Sequence, residues 1–135
     1  MYNYFNRLCK KSIKDQNHHF VNKEFLAQMK PGAVLINAAR GQLMNSEAVY
    51  EAVKSNHLKG VGLDLLENEG DVFFQDFNEN KTPYNLTNKL ITLYPRVIIT
   101  PHIGSYTDEA VKNMIETTYE NLKEILTNGE SKNKI

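Results

Sequence analysis

Arg40 closes the run Val34-Leu-Ile-Asn-Ala-Ala-Arg40-Gly41, a permanently charged fork at the end of an apolar stretch that reads as a strand. A guanidinium so placed can hold a carboxylate through two parallel hydrogen bonds. Asp64-Leu-Leu-Glu67-Asn-Glu69 brings carboxylates after a second apolar run, and Thr100-Pro101-His102 brings an imidazole after a third. In open α/β sheets, ligands and catalytic groups gather where strands end. Taken singly, each group has a plainer reading. Arg40 could be a strand-end salt bridge, His102 a loop histidine without a task, and Glu69 a solvated acid beside Glu67 and Asp71. Asp64 is different, since a carboxylate within an apolar strand is costly to bury without a partner. His18 and His19 beside Asn17 suggest a metal pair. Adjacent residues in a loop with no third ligand argue against it, and no metal is expected.

The elements that would position these groups follow from periodicity and breakers. Asn22 can cap a short helix over Lys23 to Met29, with Phe25, Leu26 and Met29 on one face, and Lys30-Pro31-Gly32 stops it. Ala33 to Asn37 reads as a strand buried on both faces, as in a parallel sheet. Ser46 can cap a helix from Glu47 to about Ser55 with Ala48, Val49, Ala52 and Val53 as its buried stripe. Val61 to Leu66 is the next strand, which makes a βαβ unit with parallel strands. A polar loop runs from Glu67 to about Thr82, a short helix covers Leu86 to Leu93, and Val97 to Ile99 is a third strand. Asp108 to Leu126 carries Val111, Met114, Ile115, Leu122, Ile125 and Leu126 at helical spacing, and Gly129 closes that helix. The opening residues before Ser12 show no clean period.

Composition narrows the class. With 135 residues the chain suffices for one domain with a core, and 16 basic against 16 acidic residues give no net field toward nucleic acid or anionic lipid. The basic residues are spread out apart from Arg7, Lys10 and Lys11. No apolar run approaches the roughly 20 residues that span a bilayer. The single cysteine, Cys9, cannot form an internal disulfide, which suits a reducing, cytoplasmic setting.

Asn37-Ala-Ala-Arg40-Gly41, Gly62-Leu-Asp64-Leu-Leu-Glu67-Asn-Glu69 and Thr100-Pro101-His102, in this order and separation, resemble the C-terminal part of the D-isomer-specific 2-hydroxyacid dehydrogenases, nearest to those acting on D-lactate. The resemblance runs from about Ser12 to the end. It implies an α/β fold, the C-terminal half of a Rossmann-like, doubly wound parallel sheet that binds NAD, plus a long C-terminal helix. It divides the chain into a divergent segment (1–11), the NAD-binding part (12–107) and a helix that in the family returns to the substrate domain (108–135). The chemistry implied is hydride transfer between NADH and a 2-keto acid such as pyruvate. Arg40 would clamp the substrate carboxylate, His102 would exchange the proton, and Glu69 would be the carboxylate that orients the imidazole and favours its protonated form. Asn17, Ala38, Ala39, Arg40 and Asp64 fall at cofactor-contacting positions, and Tyr106 at the family's pocket rim, with Ser105 replacing a frequent bulky neighbour. Such enzymes are usually homodimers.

Departures shape the expectation further. The fingerprint GxGxxG is absent, and Gly60-Val-Gly62 leads into a strand instead. Lys11 and Ser12 stand where the family has an apolar residue and proline. The chain therefore reads as roughly the last two-fifths of such an enzyme, with little or no activity expected alone. The alternative is a non-catalytic remnant or interaction module that pairs with another chain through an uncovered sheet edge and the helix stripe.

Overall fold

The computed structural model describes the backbone of Asn3–Tyr4 and residues 17–77 and 82–133. Arg7, Cys9, Lys10, Lys11 and Ser12 lie outside the described residues, as does the 78–81 part of the polar loop. By contacts the chain forms two units, Met1–His102 and Ile103–Ile135.

In the first unit, β1 (Asn3–Tyr4), β2 (Ala33–Asn37), β3 (Leu58–Leu63) and β4 (Val97–Ile99) form one sheet in that order, every pairing parallel. The connections carry α1 (Lys23–Ala27), α2 (Ser46–Lys54) and α3 (Asn85–Ile91). Parallel neighbours require such crossovers, because a tight turn cannot bring the chain back to the same edge. Register shows which face the helices cover. Leu35 pairs with Val61 and Val61 with Val97, and all three are buried in one cluster with Leu26, Val49, Val53 and Leu90 from the helices. The alternate row, Ile36, Gly62 and Ile98, faces the other way, and Ile98 is 55% exposed. Two-sided burial of β2 is therefore not what the described residues show: Leu35 and Asn37 are buried, whereas Val34 and Ile36 are half-buried. The described helices of this unit serve one face only.

Several boundaries shift for identifiable reasons. The α2 cap is Asn45, not Ser46, because the Asn45 side chain accepts from Ala48 N at 2.9 Å while Ser46 is already helical. Asn22 does cap α1, through Phe25 N, but α1 stops at Ala27; Met29 is still buried beyond the helix. Strand β3 starts three residues earlier than the apolar run, with Leu58 opposite Ala33 across a bulge, and ends at Leu63. The apolar Leu65 and Leu66 leave the sheet and fill the core from a loop, so their hydrophobicity marks burial rather than strand. Helix α3 runs Asn85–Ile91 rather than Leu86 to Leu93. Strand β4 lies where expected.

The second unit is α4 (Asp108–Asn128) and the segment after it. Thr107 caps it through Ala110 N, and Gly129, at φ 77°, ends it in the left-handed conformation that glycine adopts without a Cβ penalty. Ser131 and Lys132 then fold back: the Ser131 hydroxyl donates to Asn121 Oδ1 at 2.8 Å, and Lys132 N donates to Glu124 Oε2 at 2.9 Å. Met114, Ile115, Leu122, Ile125 and Leu126 are exposed.

Candidate active site

Three strand ends carry the candidate groups, and a different device sets each. At the end of β2, the buried Asn37 side chain bridges its own turn: its Oδ1 accepts from Ala39 N at 3.0 Å and its Nδ2 donates to Arg40 O at 2.9 Å. That amide, rather than the apolar run, makes the strand stop and turn Arg40 outward. Asn37 O also accepts from Asp64 N at 3.0 Å, which joins the β2 and β3 ends. The Arg40 guanidinium is exposed and donates to Ala39 O at 2.7 Å. Among the described residues no carboxylate pairs with it, so the strand-end salt bridge has no partner there.

Gly41 is needed for another reason. A Cβ on it would lie 2.2 Å from Leu66 C and 2.5 Å from Glu67 N, both backbone atoms. The turn after Arg40 thus presses directly on the loop that leads to Glu69, an approach only glycine allows.

At the end of β3, Asp64 is half-buried, and Thr100 Oγ1 donates to its Oδ1 at 2.5 Å. This is the partner that a carboxylate in an apolar strand requires. The chain then enters a single 3-10 turn at Glu69–Asp71, entered through Asn68 in the left-handed region. Tyr84 OH donates to Asp71 Oδ2 at 2.6 Å, a bond that holds the tyrosine hydroxyl above its ordinary pKa because ionisation would break it beside a negative charge.

Beyond β4, His102 sits at φ 53°, uncommon for a residue with a side chain. Its N–H is held by Asp64 O at 2.9 Å and Thr100 O at 3.0 Å, which offsets the cost of that conformation. The outcome is an imidazole whose Nδ1 lies 2.8 Å from Glu69 Oε1, while Glu69 Oε2 accepts from Leu66 N at 3.3 Å. With a carboxylate on Nδ1, the Nδ1–H tautomer is favoured, which leaves Nε2 as the ring nitrogen that could exchange a proton with a ligand.

Glu69, Asp64 and His102 are therefore in one bonded set, with Arg40 on the turn packed against its loop. Of the two acids, Glu69 meets His102 while Glu67 faces elsewhere: its Oε1 lies 2.8 Å from His19 Nε2. That contact supplies the third polar group missing from the sequence reading of His18 and His19. It also ties the turn containing Asn17 to the site loop, together with His19 N donating to Gln42 O at 2.8 Å. Ala38 is exposed and Ala39 buried on the β2 turn. The sequence marks Asn37, Thr100 and Gly41 only weakly, by a turn-forming amide before the arginine, a hydroxyl two residues before the histidine and a glycine after the arginine.

The arrangement suits a small carboxylate-bearing substrate with a carbonyl to be protonated. For NAD, the residues present offer a partnered carboxylate at Asp64 and the exposed Ala38 on the turn after β2, at the carboxyl ends of neighbouring parallel strands.

Residues 8–104 match the model of the D-isomer specific 2-hydroxyacid dehydrogenase NAD-binding domain. An aromatic 2-oxoacid reductase of Clostridium sporogenes is 44% identical over 122 residues, covering 90% of this chain and 37% of that protein. Among solved structures, a D-lactate dehydrogenase from Sporolactobacillus superposes with a TM-score of 0.84 at 37% identity, covering 93% of this chain and 37% of that one. A D-lactate dehydrogenase with NAD+ from Lactobacillus jensenii gives 0.79 at 32% identity over 99% of this chain and 42% of that one. The chain thus spans well under half the length of the relatives it matches. No helix among the described residues is long and apolar enough to cross a membrane.

Proposed function

The chain belongs to the D-isomer specific 2-hydroxyacid dehydrogenase family, matching its NAD-binding domain, and from that premise we infer that it carries the proton-transfer and carboxylate-binding side of an NADH-dependent 2-keto acid reduction. The observation that carries this reading is the His102–Glu69 pair at 2.8 Å, on the strand end beside Asp64. Arg40 binds the substrate carboxylate with donors that, among the described residues, no protein carboxylate occupies. NADH, when bound, supplies the hydride. Protonated His102 gives the proton from Nε2 to the carbonyl oxygen, and Glu69 holds the ring in register and stabilises the imidazolium. In the direction of oxidation, neutral His102 accepts the hydroxyl proton at the same atom. Asp64, kept oriented by Thr100, would hold the nicotinamide end of the cofactor, and Asn17, Ala38 and Ala39 would contribute contacts around it.

Pyruvate and D-lactate are the first substrate pair in this reading, supported by likeness to D-lactate dehydrogenases. An aromatic 2-keto acid is the second, favoured by the higher identity to an aromatic 2-oxoacid reductase. A cytoplasmic setting and a homodimer belong to the same proposal. Because GxGxxG is absent from the sequence, the cofactor's pyrophosphate lacks its usual glycine-rich seat here, and the chain alone should turn over little or nothing.

Titration of the chain with NADH, followed by nicotinamide fluorescence, tests the reading. Weak saturable binding that Asp64→Asn diminishes and that pyruvate or phenylpyruvate tightens is the expected result, with the more effective acid identifying the substrate class. Fluorescence indifferent to both acids and to Asp64→Asn would overturn it.

A further inference from the structure

Away from His102, a second cluster of chemistry-bearing side chains remains unused. His18 and His19, adjacent in sequence, have their rings stacked with centroids 3.9 Å apart and planes 29° from parallel. Consecutive side chains ordinarily diverge. Here they converge because His19 is held at φ 51°, its N–H fixed on Gln42 O at 2.8 Å. Both Nε2 atoms then face one carboxylate oxygen, Glu67 Oε1, at 3.7 Å from His18 and 2.8 Å from His19. One ligand atom from each of the three residues lies within 4.8 Å of the others.

We propose that His18, His19 and Glu67 form a binding site for a divalent cation of the zinc class, through the two Nε2 atoms and the Glu67 carboxylate. Two imidazole lone pairs and one carboxylate are the donor set of borderline cations such as Zn2+, Co2+ and Ni2+, whereas Ca2+ and Mg2+ prefer all-oxygen sites. A tetrahedral ion with bonds of about 2.0–2.2 Å needs ligand atoms roughly 3.3–3.5 Å apart, so binding requires the two rings to rotate out of their stack and the ligand atoms to close in from a spread of up to 4.8 Å. The fourth position opens to water: side-chain exposures of 48%, 34% and 29% leave an entry path without dispersing the ligands. Among the described residues, Glu67 has no lysine or arginine partner, so its charge is available to the ion. The left-handed backbone at His19 is a conformational cost that bonding of the ring to a cation would help offset. The site joins the turn at 17–19 to the loop carrying Glu69, two residues beyond Glu67, so occupancy braces that loop.

The test uses the 135-residue chain and the metal alone. Titration with Co2+ should saturate at one equivalent with the visible d–d absorption of a tetrahedral centre, Zn2+ should displace it, and Zn2+ should raise Tm in proportion to the logarithm of its concentration above Kd. His18→Ala should reduce affinity at least tenfold, Glu67→Gln similarly, and His57→Gln, whose imidazole is bonded to Leu26 O at 2.8 Å, should leave binding intact. His18 is exposed, so its variant folds even where Glu67→Gln fails. Absence of saturable Co2+ binding, or binding unchanged by His18→Ala, would overturn the proposal.

Discussion

At the scale of single residues, the chemistry depends on groups that are partnered on one side and open on the other. Among the described residues the Arg40 guanidinium bonds only to its neighbour's carbonyl, so Arg40→Lys should retain the charge yet lose the paired hydrogen bonds to a 2-keto acid carboxylate, weakening its binding by about 1–3 kcal/mol. A binding isotherm with oxamate, a stable 2-keto acid mimic, measures this. Asp64 depends on the Thr100 hydroxyl at 2.5 Å. Thr100→Val should weaken NADH binding by about 1–2 kcal/mol while Thr100→Ser retains it, as removal of one hydrogen bond to a charged group predicts. The placement of Arg40, Asp64 and His102 after apolar runs is legible in the sequence, and the roles proposed for them rest on the family resemblance. Thr100 was not, because a threonine beside a proline carries no sign of which carboxylate its hydroxyl will meet. The Glu67 contact with His19 is invisible for the same reason: it spans 48 positions, and nothing local encodes it.

At the scale of elements, capping separates what residue type suggests from what geometry selects. Asn45 and Ser46 are both good caps by composition, and only Asn45 bonds Ala48 N. Asn45→Ala should cost roughly 1 kcal/mol and Ser46→Ala a few tenths, measured by chemical denaturation of the chain. The reverse order would show the helix starting a residue later. Strand ends resisted sequence reading where apolar residues continued past the sheet, as at Leu65 and Leu66, since burial and strand leave the same signal. In the second unit, Glu124 is held below the ordinary carboxylate range, chiefly by the Lys132 backbone N–H, opposed by desolvation, and aided by the Ser131 hydroxyl and the Lys132 ammonium. A lowered folded-state pKa means that this contact contributes in full above the ordinary carboxylate pKa and is lost as pH falls through the lowered value. The Lys132 amide resonance should therefore shift in acid with a midpoint below that of a free glutamate. A midpoint at or above the free value would show that the segment does not fold back.

At the scale of the whole molecule, one sheet face is built around Leu35, fully buried between the helices and the Val61 row. Leu35→Ala should cost about 2–5 kcal/mol in the stability of the first unit, read from its denaturation midpoint. For the opposite face, the apolar run Ala33 to Asn37 predicts equal cover, yet Ile36 is half-buried and Ile98 in the same row is exposed. Its residues are apolar enough for burial, but what covers a face is not written in the strand itself. Gly41 connects core to chemistry, because its lack of a Cβ lets the Arg40 turn rest on the backbone of Leu66 and Glu67.

In the proposed reaction Arg40 and the His102–Glu69 pair form one carboxylate-binding, proton-donating site. Titration of the isotopically labelled chain with NADH and oxamate, followed by NMR of the Arg40 guanidinium and the His102 ring nitrogens, tests it most directly. Saturable shifts at both side chains with a common Kd, lost together in Arg40→Lys, are predicted. Shifts at neither side chain, or at one with the other unmoved, would contradict it.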